Sequence, residues 1–537
     1  MNSPPRLLYG ILITVAVGSA VGRILSTQLL FEPSIHRDEK NPKDTRRLWP
    51  KIRPAQMPTF SSNDRSRWAT IRALVDEGTY VIGRRSREVV VATAVAPFGN
   101  VDPLNAAAIA QAGYYSRIAS DRGIIFEDGY QSVDKVLHPT KLEFYSSKPP
   151  LLSTLIAGLY WLLKMLFGWT LTEHPDAVVR TILLLVNALP FLIYLHQIAR
   201  LAESFGRTDW GRNFVVGCAA FATLVTPFLI TLNNHTIATY CVLFTLVSVV
   251  EIWRRTPRER GGCADGASSS PWQQHAAAGF FASFAVCNEL PALSFAAAVF
   301  VLLLYWAPRR TLLFFFGAAL VPAVGFVVTN VVAVGQLRPA YSEFGGEWYE
   351  YEGSHWRKPF AGQEPKKGID WARSHETQGT YVFHLLLGHH GLFSLTPLWL
   401  LALGPMVGGL SHLRKNWQYA RQPTSSHDAL SLTEPGRPWF LAPLALAVTV
   451  VVVGFYALAS DNYGGFTVGP RWLMWLTPLW LLCLLPSADR LGASRWGRAL
   501  AYLFLGISVL SANYSPWNPW RHPWIYDLLV ALGWPGY

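Results

Sequence analysis

The sequence predicts an all-α polytopic membrane protein of about eleven transmembrane helices, with a small mixed α/β insertion in its first outer loop. Three observations predict it. Of the 537 residues, 51% are hydrophobic and only 15% charged, against roughly 25% charged in soluble globular chains. This composition excludes a soluble domain, a disordered chain and a collagen-like one. Long apolar runs recur, at 213–232, 236–252, 290–306, 311–335, 438–458 and 471–485, each near the roughly 20 residues a helix needs to cross a bilayer. The loops between these runs alternate in charge. Lipid offers unpaired backbone groups no partner, so the runs read as helices rather than open strands.

In chain order, the crossing helices are expected at 7–25, 178–198, 213–232, 236–252, 274–288, 290–306, 311–335, 392–411, 438–458, 471–486 and 499–512. The first follows Arg6 and lacks a clear A-x-A cleavage site, so it reads as a retained signal anchor. One set of loops carries Arg200, Arg207 and Arg212; Arg254, Arg255, Arg258 and Arg260; Arg309 and Arg310; Arg414, Lys415 and Arg421; and Arg490, Arg495 and Arg498. The alternate short loops, 233–235, 288–289 and 461–470, contain no Lys or Arg. The positive-inside rule puts the first set in the cytoplasm. The second set then faces outside, with the long loops and the tail. The expected organisation is an N-terminal helix in 1–30, an outer segment 31–177, a bundle 178–336, a second outer loop 337–391, a bundle 392–512 and an outer tail 513–537. The net charge of +12 is spent on orienting helices, so no nucleic-acid partner is expected. The expected location is the plasma (inner) membrane, multi-pass, with the polar chemistry extracytoplasmic.

Pro149–Trp169 is apolar enough to cross, but a crossing there would invert every later loop and place the basic ones outside. It therefore reads as a helix lying in the outer interface, with Lys164 at headgroup depth and Pro149-Pro150 in its first turn. The first outer loop is far longer than an ordinary connection. Residues 33–62 read as irregular, and Asn63-Asp64-Arg65-Ser66-Arg67-Trp68 opens a surface helix with Asn63 or Asp64 as N-cap. Residues 80–140 read as short strands and turns. The second long loop is aromatic and charged, as in Trp348-Tyr349-Glu350-Tyr351 and His355-Trp356-Arg357-Lys358. Cys218, Cys241, Cys287 and Cys483 lie in apolar runs and Cys263 in a basic loop, without a CxxC pair, which implies neither a disulfide framework nor a cysteine zinc site.

The candidate chemistry falls at the outer face. Asp64 is either a helix cap or a carboxylate that acts as general base or helps hold a cation. Lys148 either snorkels or binds a lipid phosphate at headgroup depth. Glu289, between two apolar runs, is a turn residue or an acid facing a polar cavity. Asn233-Asn234-His235 is good turn chemistry that also offers His235 to an acceptor or a diphosphate. His389 and His390 carry the same ambiguity, and adjacent histidines do not share a helix face as i and i+4 do. In the last outer loop, Asp461-Asn462-Tyr463-Gly464-Gly465 leads to Gly469-Pro470-Arg471-Trp472. Arg471 there suits either bidentate phosphate recognition or interfacial anchoring. Walker A, GxGxxG, HExxH and GxSxG motifs are absent.

Asp64-Arg65-Ser66-Arg67-Trp68-Ala69 followed by Ser147-Lys148-Pro149-Pro150-Leu151 resembles the Asp-Glu-x-x-Tyr-Ala and Glu-Lys-Pro-Pro-Leu motifs of the GT-C class of integral membrane glycosyltransferases. The branch is that of the protein O-mannosyltransferases and lipid A aminoarabinose transferases. Residues 464–472 are similar to a late-loop motif of related enzymes. The resemblance covers about 60–240, is weaker over 380–485, and is absent over 80–140, which looks like an insertion. It departs at Ser147 and Arg65, where the family has Glu, and at Asn234-His235, where it often has Asp. The resemblance implies transfer at the outer face from a polyprenyl-phosphate-linked sugar to a lipid, glycan or protein acceptor. It gives Asp64 the role of catalytic or acceptor-orienting acid, with Glu289 or Asp461 as a second acid, and Lys148 the donor phosphate, with Arg471. Arg67, Tyr145, Asn234, His235, His390 and Asp461 complete the expected substrate-binding set. No cofactor is assigned, a divalent cation is left open, and the partners are the lipid-linked sugar, the bilayer and an unknown acceptor. The rival readings are a transporter or flippase for a lipid-linked glycan and a non-catalytic sugar- or lipid-binding protein.

Overall fold

The structure is a computed structural model that describes residues 4–28, 57–59, 61–91, 114–127, 129–260, 272–356, 377–421, 438, 440–460 and 462–534. Asp461, Cys263, Arg357, Lys358 and most of 33–62 lie outside the described residues. The chain divides into two compact units. One comprises Met1–Thr27, Asp176–Val327 and Gly368–Tyr537; the other comprises Gln28–Pro175 and Val328–Lys367.

The first unit is helical. Across the described residues of the whole chain, seven helices are long and apolar enough to cross a membrane, which by length and composition makes the protein multi-pass: Arg6–Ser26, Pro150–Phe167, Pro175–Phe205, Asn234–Arg255, Pro308–Val334, Leu441–Ala459 and Arg471–Leu491. Leu290–Trp306 and Leu398–Ser411 are apolar but shorter. The expected span 213–232 is not one helix. Asp209–Phe221 ends at Ala222, and a single turn, Val225–Phe228, follows. Pro227 has no N–H to give the carbonyl four residues back, which disfavours a continuous helix across this stretch.

Two buried polar anchors hold this unit's turns. Asp489 accepts hydrogen bonds from the Arg207 N–H (3.0 Å), the Thr208 N–H and the Thr208 hydroxyl (both 2.9 Å), so an acid near the end of Thr477–Leu491 organises the start of Asp209–Phe221. Asn187 sits in a π-helical turn, Leu184–Ala188, just before Pro190. Its amide donates to the Leu229 and Thr231 carbonyls (2.7 and 2.9 Å), and Tyr240 donates to its carbonyl (3.0 Å). These bonds satisfy the irregular backbone that leads into Asn233-Asn234-His235.

The second unit is mixed. A four-stranded antiparallel sheet, in the order β2-β1-β4-β3, is formed by β1 (Gly83–Val91), β2 (Tyr114–Arg122), β3 (Lys135–Leu137) and β4 (Glu143–Ser146). A bulge between Ser86 and Arg87 shifts the β1–β2 register. Gly123, at φ 115°, brings its Cα side within 2.6 Å (as a Cβ would stand) of the Gly83 Cα, an approach and a conformation that suit glycine. The expected second outer loop, 337–391, is divided: up to Lys367 it belongs to this unit, and from Gly368 on to the first. Trp348 and Tyr349 pack with Val136 and Tyr145, the Leu137 N–H donates to the Trp348 carbonyl (3.1 Å), and Trp356 Nε1 donates to the Val133 carbonyl (2.9 Å).

Ser62–Arg72 is capped by Ser61, whose side chain accepts from the Asp64 N–H, and not by Asn63 or Asp64 as expected. Nor is it a surface helix, since Asn63 through Ile71 are buried apart from Arg65. Its low apolar content is offset by hydrogen bonds. Ser66 Oγ donates to the Asp134 carbonyl (2.6 Å) and meets Ser146 Oγ (2.7 Å), while Ser132 Oγ donates to the Ser62 carbonyl (2.6 Å). The next helix, Pro150–Phe167, has Pro150 in its first turn and ends at Gly168 in the left-handed region (φ 70°). It buries Leu152, Ile156, Tyr160 and Leu163 and exposes Trp161, Met165, Leu166 and Phe167. Lys164 is bonded to Asp76 (2.7 Å), to which the Tyr160 hydroxyl also donates (3.1 Å).

Candidate functional site

In the mixed unit the structure places Asp64, Arg67, Tyr145 and Lys148. Asp64 lies in the first turn of Ser62–Arg72, 1% exposed, where the N-terminal end of the helix dipole favours a carboxylate. Because Ser61 does the capping, the Asp64 side chain is not consumed by that role. Arg67, one turn on, is buried and donates to the Asn63 carbonyl (3.1 Å) and side-chain oxygen, a local brace for the turn that carries Asp64. Lys148 is stitched to that helix through serines: its N–H donates to Ser146 Oγ (3.1 Å), which meets Ser66 Oγ. Its ammonium is bonded to Asp134 Oδ1 at 2.9 Å. Tyr145 donates to Glu143 (2.7 Å), and burial, reinforced by that carboxylate, pushes its phenol well above the ordinary range, so it is a neutral donor. Lys148 and Tyr145 share a hollow with Thr70, Tyr80 and Asn330 that has room for no more than a water molecule.

In the helical unit the structure joins four predicted residues from three turns. His235 Nδ1 bonds the Glu289 carboxylate, and Asn234 Nδ2 donates to the same oxygen and to the Asn288 carbonyl (2.9 Å). Arg471 Nη1 lies 3.2 Å from His235 Nε2. A guanidinium only donates, so His235 Nε2 is the acceptor, and Nδ1 carries the proton given to Glu289. The arrangement is therefore a carboxylate and a guanidinium on the two nitrogens of one neutral imidazole. Glu289 and His235 are both buried, and burying a charge is tolerable when it is paired and hydrogen-bonded. Arg471 is gripped on two further sides. Its Nε donates to the Gly464 carbonyl (3.0 Å), and its Cζ stands 4.7 Å over the Trp520 ring. Asn462 Oδ1 accepts from the Gly464 and Gly465 N–H groups (both 2.8 Å), and these glycines have φ of 96° and 71°. The turn therefore needs residues tolerant of positive φ.

The cluster forms where the three Lys- and Arg-free loops, 233–235, 288–289 and 461–470, meet, and Arg471 directly follows the third. The helix Asn234–Arg260 starts at the cluster and reaches Arg254 and Arg255 about 30 Å along its axis at 1.5 Å per residue. The cluster therefore sits at the opposite end of that helix from a basic loop.

His390 joins a different group. It stacks on Tyr463 (4.9 Å) beside His389, His522 and Tyr526, and its Nδ1 lies 2.6 Å from that of His389. Burial first, and then the neighbouring imidazoles, lower the pKa of His389 to about 3 and that of His390 well below the ordinary value, so both are neutral. Among the described residues no group of three or more His, Cys, Asp or Glu side chains is arranged to hold a metal ion, and the described cysteines are free thiols.

Sequence reasoning missed Asp134, the partner of Lys148, because it lies in the stretch read as an insertion. It also missed Trp520, in the tail. Neither carries a local signal, since each acquires its role from a contact made across many residues of chain.

No family model matches the chain, and no curated protein matches it. Among solved structures, it is similar to the oligosaccharyltransferase of Archaeoglobus fulgidus in its apo form, at 10% identity and a TM-score of 0.43. It is also similar to the archaeal oligosaccharyltransferase AglB from the same organism in complex with an inhibitory peptide and a dolichol-phosphate, at 11% identity and a TM-score of 0.43. Each alignment covers 98% of this chain and 58% of the other, so the chain spans a little over half the length of these structures.

Proposed function

We propose that the protein is a membrane glycosyltransferase of the GT-C type, moving a sugar from a polyprenyl-phosphate donor to a lipid, glycan or protein acceptor at the extracytoplasmic face. The observation that supports this reading best is the meeting of three Lys- and Arg-free turns on one oriented guanidinium, Arg471, backed by Glu289 through His235. Displacement at the anomeric carbon breaks the bond to the phosphate oxygen and leaves an added negative charge on the lipid phosphate. A guanidinium already held in place stabilises that charge without reorganising. The new bond forms to an acceptor oxygen or nitrogen, whose proton must leave. Asp64, buried but not used as a cap, is the residue assigned to take or orient it. In the mixed unit, the resemblance gives Lys148 the role of a phosphate-binding cation, and there it is paired with Asp134. The prenyl tail and the apolar helices share the bilayer.

A non-catalytic lipid-phosphate-binding role is favoured by one observation, the neutralisation of Lys148 by Asp134. Reconstitution of the full chain in liposomes with radiolabelled mannosyl, glucosyl and arabinosyl phosphoundecaprenol separates the readings. The expected result is transfer of label that falls about 100-fold in Arg471→Ala and in Asp64→Asn. Undiminished transfer in both variants refutes the assignment, and movement of labelled lipid across the bilayer without transfer supports a flippase instead.

A further inference from the structure

We infer that Trp520, carried by the C-terminal segment, is a positioning residue for Arg471 and thereby shapes the phosphate site; this rests on the proposed role of Arg471. Arg471 donates from Nε to Gly464 and is hydrogen-bonded from Nη1 to His235, and guanidinium N–H groups point outward within the plane of the fork. Bonds of that kind fix the direction of the fork but oppose tilting of its plane only weakly. The Trp520 ring, with the guanidinium 4.7 Å above it, opposes that tilt, because a cation over an indole face is attracted to the face as a whole.

The ring is itself held firmly. It is buried and packs edge-on against Phe228 at 5.3 Å. Its indole N–H has no hydrogen-bond partner among the described residues, so the placement of the side chain is decided by its faces. The segment that carries it is tied to the same loop that carries Arg471. The Val468 N–H donates to the Pro519 carbonyl (3.1 Å), and His522 packs on Phe466 (4.7 Å). Further along, His522 stacks on Tyr526 (3.7 Å), and Tyr526 and Trp534 close on His389 (5.6 and 5.2 Å). The tail is therefore a strap across the loop 462–471, and Trp520 is its point of contact with the cation.

The test is a double-mutant cycle on the full chain in detergent, with farnesyl phosphate as the probe and farnesol as the control for partition into micelles. Binding is read by calorimetry and folding by circular dichroism. Trp520→Ala is expected to weaken farnesyl phosphate binding about 3- to 30-fold, and Trp520→Phe, which keeps an aromatic face, to recover part of the loss. In an Arg471→Ala background, Trp520→Ala is expected to cost nothing more, an outcome that a merely structural role would not produce. Equal loss in both backgrounds overturns the inference, as does unchanged binding in Trp520→Ala or in Trp520→Phe and Trp520→Ala alike while Arg471→Ala binds poorly. Unchanged binding in Arg471→Ala overturns the phosphate-site reading of Arg471 itself, and the inference with it.

Discussion

Replacing Glu289 by Gln removes one charge and little volume, and the structure sets what that should cost. Glu289 accepts from Asn234 Nδ2 and is in close polar contact with His235 Nδ1, and all three residues lie in a tight, largely buried turn cluster. A hydrogen bond to a charged group contributes about 1.5–3 kcal/mol. Gln can still accept from His235 but loses the charge that makes the bond strong, so a loss of about 1–3 kcal/mol is expected. Glu289→Ala should cost more, about 3–5 kcal/mol, because it leaves buried donors unpaired as well. Since the effect runs through the imidazole, Glu289→Gln and His235→Ala should be non-additive by at least about 1 kcal/mol. Reversible unfolding of the single and double variants by SDS titration in mixed micelles measures that coupling. Additivity within about 0.5 kcal/mol, the behaviour of independent sites, would falsify the relay. A nitrogen NMR tautomer assignment placing the His235 proton on Nε2 would refute it by a separate route.

Three other outcomes follow from the geometry. His389, His390 and His522 have folded-state pKa values below the ordinary 6.5, the first of them near 3, so the unfolded chain binds protons first as pH falls. Stability should be full above about pH 6.5 and decline towards pH 3 by up to about 1.4 kcal/mol per pH unit for each histidine; unfolding measured between pH 7 and 4 checks this, and His390→Gln should flatten the slope. Gly464→Ala forces a side chain into φ 96° and places its Cβ 3.2 Å from Arg471 Nε, so it should destabilise by about 1–2 kcal/mol and weaken farnesyl phosphate binding, whereas Gly454→Ala, with open space around it, should do neither. Asp489→Ala removes three hydrogen bonds at the start of Asp209–Phe221 and should cost about 2–4 kcal/mol in the same SDS titration, with Asp489→Asn intermediate.

Much of the secondary structure was legible because its signals are local. The apolar run 236–252 falls inside a helix long and apolar enough to cross a membrane, and the runs 311–335 and 438–458 match such helices to within three residues, since twenty greasy residues in lipid have one way to satisfy their backbone. The break after Phe221 was missed because hydropathy averages over Pro227, while the backbone does not. Glu289 was singled out as an acid between two apolar runs, Asn234 and His235 as turn chemistry, and Arg471 as a cation beside a glycine-rich loop, each a property of one residue and its neighbours. Their union through one carboxylate and one imidazole was not legible, because His235 and Arg471 are 236 positions apart and their contact depends on how the helices between them pack.

Sequence alone therefore determined the class of molecule, the charge alternation of its loops and the residue types available at the Lys- and Arg-free turns, all of which depend on local composition and on the bilayer as solvent. Tertiary structure decided the rest. It took the N-cap from Asp64 and gave it to Ser61, paired Lys148 with Asp134, and brought Trp520 from the tail over Arg471. Such pairings are set by distances of a few ångströms between segments remote in the chain, and no periodicity or composition records a distance.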